Sequence, residues 1–310
     1  MSVLFTFPGQ GAQRPGMLHR LPDHPEAART LAETGEALGM DPLRLDTPDA
    51  LASSSAVQLC LLAAGVAMTR TLAASGARPG MVAGLSIGAY PAAVTAGILD
   101  YRDAVFMVAL RGRLMDAAYP HGYGMAAIIG LGQQQLQGLI AEVHSKANPV
   151  YLANLNAGNQ FVIAGADNAL LAVMELALAH GASKVERLAV SVPSHCELFD
   201  AVAARMRDAF ARIDVRRPRI AFLSSSAARP LSDPARIADD LAGNVSRQVH
   251  WADTARLAWE RGARLAVEMP SGGVLTRLTA PVFREGHAVC CEDTPIETIL
   301  TLIARTHCAA

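Results

Sequence analysis

The stretch Met81-Val-Ala-Gly-Leu-Ser-Ile-Gly-Ala-Tyr90 places a serine between two glycines, Gly84 and Gly88. A G-x-S-x-G run between a short apolar segment and a helix-prone one fits a nucleophile elbow. Such a turn needs small neighbours, lifts Ser86 above a sheet edge, and aims the N–H of Ile87 at the place where an oxyanion forms. The same letters also fit a plain Gly/Ser turn, so the elbow has to be judged by its partners. A serine hydroxyl needs a base to take its proton. Nine histidines are available, and two stand out. His287 follows Glu268, so Ser86, Glu268 and His287 fit the serine–acid–histidine order of hydrolases. His195, in Ser191-Val-Pro-Ser-His-Cys196, falls where a strand of one unit passes into a helix of another, a junction suited to a ligand cleft. Periodicity leaves both open.

Two further stretches carry chemistry. In Phe7-Pro-Gly-Gln-Gly-Ala-Gln13 a strand ends in Pro-Gly and exposes backbone N–H groups. Gln10 there suits a second oxyanion donor as well as it suits an ordinary β-turn. Arg111, in Leu110-Arg-Gly-Arg-Leu-Met115, sits on a helix-prone run, where an arginine is by default solvated. Buried at a cleft it would instead clamp a carboxylate, because guanidinium is permanently charged, planar and able to donate twice. Asn154 and Asn156 read as turn formers in preference to a pair at the cleft.

The elements that must position these residues alternate. Strands are expected at 3–7, 81–83, 220–224 and 264–269, and helices at 56–75, 87–97, 101–118 and 198–213. This alternation predicts an α/β fold with a mostly parallel sheet covered on both faces. Residues 126–190 run β-α-β-β-α-β, with Asp167 as the expected cap of the second helix. That order is ferredoxin-like, so 125–190 reads as a small inserted domain, and 1–124 with 191–310 as the main one. Gly122, Gly124 and Met125 read as a flexible junction between them.

Composition narrows the class. The chain has 310 residues, 51% apolar and 18% charged, which excludes a disordered polypeptide. A net charge of -1 offers no reason to expect nucleic acid. The longest apolar run, Ala56 to Thr69, is cut by Arg70 and is short for a membrane span, so no membrane is expected. Five cysteines at spacings that fit no zinc pattern, with no basic N-terminal leader, predict a reducing cytoplasm and no metal.

Taken in order, Phe7–Gln13, Gly84–Gly88, Leu110–Met115, Asn154–Gly165 and Ser191–Cys196 resemble the malonyl-CoA:acyl-carrier-protein transacylases over nearly the whole chain. The resemblance implies an α/β-hydrolase-like domain with a ferredoxin-like insert. It implies Ser86 as nucleophile, His195 as base, and the N–H groups of Gln10 and Ile87 as oxyanion hole. Arg111 matches the partner of the free malonyl carboxylate, and Gln58 a glutamine lining the acyl pocket. Counting back from His250-Trp251, Asn244 matches the residue whose main-chain carbonyl orients the histidine. The implied partners are malonyl-CoA and an acyl-carrier protein, with no cofactor beyond the CoA thioester as substrate. One letter departs: the fatty-acid enzymes have histidine before the serine, and this chain has Leu85. Gly84-Leu-Ser-Ile-Gly-Ala-Tyr90 is similar to the malonyltransferase (epsilon) subunit of bacterial malonate decarboxylase, which charges that enzyme's own carrier. The expectation is therefore a decarboxylase malonyltransferase, with a general fatty-acid or polyketide transacylase as alternative. A serine hydrolase or thioesterase on the same elbow, and a non-catalytic carrier-binding subunit, are the rivals from other classes.

Overall fold

A computed structural model describes residues 1–308. The apolar run at the N-terminus forms β1 (Ser2–Phe7), buried from Val3 onward. A strand with so little polar surface belongs inside a sheet covered on both faces. β1 lies there, flanked by β2 (Met81–Gly84) and β9 (Ala263–Glu268). The other strands are β3 (Tyr123–Ile129), β4 (Val150–Ala157), β5 (Gln160–Ala166), β6 (Lys184–Arg187), β7 (Ala221–Ser224), β8 (Arg229–Leu231) and β10 (His287–Cys290). The main sheet has the order β10-β9-β1-β2-β7-β8. Its first five strands are parallel, and β8 is an antiparallel edge. The mostly parallel sheet expected from the alternation is thus present. The edge strands β8 and β10 were not expected, because three or four residues are too few to show a period.

Parallel pairing sets up the site. Phe7 pairs with Gly84, so β1 and β2 end at the same sheet edge. The loop from Pro8 and the turn from Leu85 therefore leave side by side, and the Leu85 N–H donates to Phe7 O at 3.0 Å. Both elbow glycines are required sterically. A Cβ on Gly84 would lie 2.0 Å from the Gly88 carbonyl carbon, and one on Gly88 would lie 2.1 Å from Phe7 O. After Ser86–Gly88 turns as a single 3-10 segment, the helix runs only from Ala89 to Thr95, shorter than the expected 87–97.

Helix Ser54–Ala74 has the length and apolarity of a membrane span, but its apolar surface is buried within the fold. Its N-terminal N–H groups are capped by Asp116 of the neighbouring helix Tyr101–Ala118, which accepts from Ser54 N at 3.2 Å and Ser55 N at 3.3 Å. Gly112 lets those two helices touch: a Cβ there would sit 2.4 Å from Ser55 Cα. This contact carries Arg111 to Gln58.

The second sheet is antiparallel, in the order β4-β5-β3-β6. Its strands alternate between two cores. Phe161 and Ile163 of β5 pack with helices Gln133–Val143 and Asp167–Ala179, whereas Val162 and Ala164 face the main core. β3 begins at Tyr123, so Gly124 lies within the sheet. A Cβ on Gly124 would strike the Arg187 guanidinium at 2.4 Å and Val190 O at 2.9 Å, the mark of close packing and not of a loose junction. Asp167 is not the cap of its helix. Ala166 holds that position, and Asp167 pairs with Arg187. β4 is bound backbone to backbone to the segment before helix Trp251–Glu260: Leu155 N donates to Val249 O at 2.8 Å, and Val249 N to Ala153 O at 2.9 Å.

The glycine geometry makes a paired prediction. Gly88→Ala loses at least about 2 kcal/mol of unfolding free energy, because its clash is with backbone. Gly138→Ala, exposed within a helix and with nothing within 4 Å of the added Cβ, gains about 0.5–1 kcal/mol. Urea denaturation of the two variants beside the parent checks both signs.

Candidate active site

Ser86 stands just past the end of β2 with φ 56°, and His195 just past Ser194 with φ 68°. Non-glycine residues held in the left-handed region cost about 1 kcal/mol or more each, and such positions cluster at functional sites. The backbone strain brings the two side chains together: His195 Nε2 is 2.9 Å from Ser86 Oγ. The other ring nitrogen faces two carbonyl oxygens, Asn244 O at 2.8 Å and Arg247 O at 3.1 Å. Carbonyls only accept, so Nδ1 carries the proton and Nε2 is left bare to accept from the Ser86 hydroxyl. His195 N also donates to Val245 O at 2.7 Å, which ties the same loop to the histidine's backbone. Burial, and then the nearby positive charge of Arg111, push the His195 pKa down to about 4, against the opposing pull of the two carbonyls. The ring is therefore neutral over the physiological range.

Arg111 is fully buried. Its Nη1 donates to Gln58 Oε1 at 2.6 Å; its Nη2 donates to Ser86 Oγ at 3.1 Å and Asn244 Oδ1 at 3.3 Å. Nε has no partner, and among the described residues no carboxylate pairs with this guanidinium. Burial lowers its pKa to about 10, which still leaves it charged at neutral pH. Gln58 turns its amide to Gln10, with Nε2 donating to Gln10 Oε1 at 3.1 Å. Asn244 adds a contact from Nδ2 to Ser86 O at 3.3 Å. One buried chain of hydrogen bonds thus runs from Gln10 through Gln58 and Arg111 to Ser86, His195 and Asn244.

The N–H groups of Gln10 and Ile87 donate to no group among the described residues. The Gln10 loop lies directly on the elbow, since a Cβ on Gly9 would sit 2.7 Å from Leu85 Cδ2 and 3.0 Å from Leu85 O. Ser271 braces the same loop by donating to Ala12 O at 2.7 Å.

A cavity of about 180 Å³ opens over Ser86 and His195, with Gln10, Leu85 and Met125 in its walls. Its roof is the second sheet. Asn154 and Asn156, expected as turn formers, are instead residues of β4, 6% and 7% exposed, and line this cavity. The Oδ1 atoms of both are buried without a partner. Their i, i+2 spacing on a strand was the available signal, since it places both side chains on one face.

The alternative set does not assemble. Glu268 accepts from Leu275 N at 3.0 Å and Thr276 N at 2.6 Å, capping the helix Val274–Thr279. His287 is exposed on the edge strand β10 and pairs with Leu265 in the ladder. Neither Glu268 nor His287 hydrogen-bonds Ser86 or His195.

A buried serine–histidine pair at the parallel edge of an α/β sheet, beside two free N–H groups, defines an acyl-transfer site. The chain belongs to the acyl transferase domain family, whose model matches residues 4–309, and it is an acyltransferase. It is similar to the malonyl CoA-acyl carrier protein transacylase of Haemophilus influenzae, 33% identical over 295 residues, covering 93% of this chain and 94% of that one. The Bacillus subtilis transacylase of the same name is 31% identical over 296 residues, 94% of this chain and 93% of that one. Among solved structures, the malonyl CoA-acyl carrier protein transacylase of Coxiella burnetii superposes with a TM-score of 0.92 at 32% identity, covering 99% of this chain and 98% of that one. A malonyl-transacylase solved with its type II polyketide-synthase acyl-carrier protein matches with a TM-score of 0.92 at 32% identity, over 98% of this chain and 100% of that one.

The depressed pKa of His195 has a readable sign. Protonation of Nε2 removes the acceptor for the Ser86 proton, so a reaction that uses this pair would fail only below the histidine's folded pKa. The acidic limb of kcat/KM for the acyl-CoA, which reports the free enzyme, is expected near pH 4. A limb at the ordinary histidine value of about 6.5 would show that the ring is not desolvated as the structure has it.

Proposed function

We propose that this acyltransferase moves malonyl from malonyl-CoA to the thiol of an acyl-carrier protein through a malonyl-Ser86 intermediate, as a general fatty-acid or polyketide transacylase. The observation that carries this reading is Arg111. A desolvated guanidinium with no carboxylate partner is costly, and its partnerless Nε adjoins Nη2, which donates to Ser86 and Asn244, so Nε and Nη2 form one edge of the planar fork. That edge matches the two oxygens of a carboxylate. An acyl group with a free carboxylate near its thioester carbonyl satisfies the arginine while presenting that carbonyl to Ser86, and malonyl has this shape.

The steps follow from the geometry. His195 Nε2 takes the Ser86 proton, and Oγ attacks the thioester carbonyl. The tetrahedral oxyanion lies on the N–H groups of Ile87 and Gln10. The C–S bond breaks, the CoA sulfur leaves with the proton held by His195, and malonyl-Ser86 remains. A carrier thiol then gives its proton to His195, attacks the ester carbonyl and releases Ser86 as the hydroxyl, with the C–O bond broken. A thiol is a good leaving group, so a neutral carbonyl pair orienting His195 suffices without an aspartate. Asn154 and Asn156 supply unpaired acceptors for the amide N–H groups of the pantetheine-type arm that both thiols share.

The decarboxylase-specific reading retains one supporting feature, the Leu85 elbow. The named relatives above are malonyl transacylases, and they favour the general role. Malonyl transfer to a phosphopantetheine carrier and to a decarboxylase carrier, measured side by side, separates the two: a clear preference for the second carrier would reverse the order proposed.

Two substitutions test the chemistry. Arg111→Ala is expected to lower malonyl kcat/KM by at least about a hundredfold and to raise acetyl transfer relative to malonyl; an unchanged preference for malonyl would remove the clamp. His195→Ala is expected to cost about a hundredfold or more in transfer, with His287→Ala near parental rate. The opposite pattern would return the serine–Glu268–His287 hydrolase. Intact-protein mass spectrometry after malonyl-CoA alone should find a malonyl ester on Ser86 that a thiol removes.

A further inference from the structure

Arg111 touches more than an acyl pocket requires. Its Nη2 donates to Ser86 Oγ at 3.1 Å, and the same Oγ lies 2.9 Å from His195 Nε2. The guanidinium nitrogen and the ring nitrogen are therefore no more than about 6 Å apart, with a buried hydroxyl between them, in a region where charges are weakly screened. The other groups around His195 leave this charge unopposed. The turn contributes Ser86, and the loop after helix Pro234–Gly243 contributes the carbonyls of Asn244 and Arg247. The Arg247 guanidinium is turned away to Asp239, 2.6 Å from it. The neighbouring Cys196 is buried, its thiol pushed up to about 12 by burial and directed to Pro193 O. From the second sheet the residues lining this region are Met125, Ala127, Asn154, Asn156, Gln160 and Val162, all uncharged.

We propose that Arg111 acts on the chemistry as well as on recognition: a substrate carboxylate that binds its Nε/Nη2 edge releases Ser86 Oγ from the guanidinium and cancels the positive charge facing His195, so the base gains strength only when an acyl group bearing a carboxylate is aboard. This rests on the malonyl reading above and deepens it. In the empty site the arginine holds one lone pair of Ser86 Oγ and repels a proton from His195. A bound carboxylate takes over the donor and neutralises the field. Asn244 is the positioning residue for the exchange, since its Oδ1 shares Nη2 with Ser86 while its Nδ2 holds the Ser86 backbone. An acetyl group brings no carboxylate, so it meets both an unpaired buried charge and a weaker base. Selection then acts twice, once in binding and once in proton transfer.

The test compares two acyl-enzymes of the parent protein, loaded with malonyl-CoA or acetyl-CoA. Single-turnover transfer to pantetheine is followed across pH, and the thiol's own titration is common to both arms. The acidic limb of the malonyl-enzyme is expected about one unit or more above that of the acetyl-enzyme. In Arg111→Gln the acetyl limb should rise toward the malonyl one. NMR titration of the His195 ring in the free and malonylated protein reads the same difference without turnover or a variant. Coincident limbs for the two acyl-enzymes, or an unmoved His195 titration on malonylation, would overturn the inference and leave the transferase reading standing. Failure of malonyl-CoA to acylate Ser86 at all would overturn both.

Discussion

A buried positive charge without a negative partner organises this molecule. Arg111 sits where a guanidinium is expensive, buried between its own helix and the apolar helix Ser54–Ala74, held by amide and hydroxyl oxygens in place of a carboxylate. The rest of the site arranges itself around that cost. Gln58 points its oxygen at the arginine and its nitrogen at Gln10, so one amide ties the buried guanidinium to the Gln10 loop. Asn244 answers the arginine with its side chain and the histidine with its main chain. A loss at any of these positions is felt at the others, because the groups share donors and acceptors and do not form separate pairs.

The strained backbone is concentrated in the same place. Ser86 and His195 are two of only three non-glycine residues with positive φ among those described. Beyond their side-chain hydrogen bonds, both backbones are held by their surroundings. Ser86 is fixed by the Gly84–Gly88 contact and by β1 beneath it, and His195 by its bond to Val245. The scaffold stiffens two short turns so that the hydroxyl and the ring meet without searching.

Much of this was legible in the residues. The parallel sheet was visible because its inner strands are continuous apolar runs, and the elbow because its two glycines stand at positions where an added Cβ would lie about 2 Å from backbone. Motif order led to Ser86, His195 and Arg111. Proximity was not legible: no periodicity brings residue 244 to residue 195, a contact that arises when a loop folds over the sheet edge. Periodicity left His195 and His287 open, the family resemblance chose His195, and in the structure His195 meets Ser86 whereas His287 is exposed on β10. Asn154 and Asn156 misled because asparagine favours turns, and their turn-forming tendency outweighed the i, i+2 pattern in a strand interrupted by register shifts. Leu85 was legible as a letter and less so as a role. It packs over Gly9 and walls the cavity, and that position alone does not choose a carrier.

The alternation in β5 reaches further than packing. Odd-numbered Phe161 and Ile163 belong to the small sheet's own core, and even-numbered Val162 and Ala164 to the main core above the catalytic edge. The hairpin that joins β4 to β5 is thus a phase setter. Substitutions along these strands can reshape the roof of the cavity one side chain at a time, but a single inserted or deleted residue would exchange the two faces wholesale. The roof can therefore be altered in residue identity, provided its length is kept, without disturbing the floor that holds Ser86 and His195.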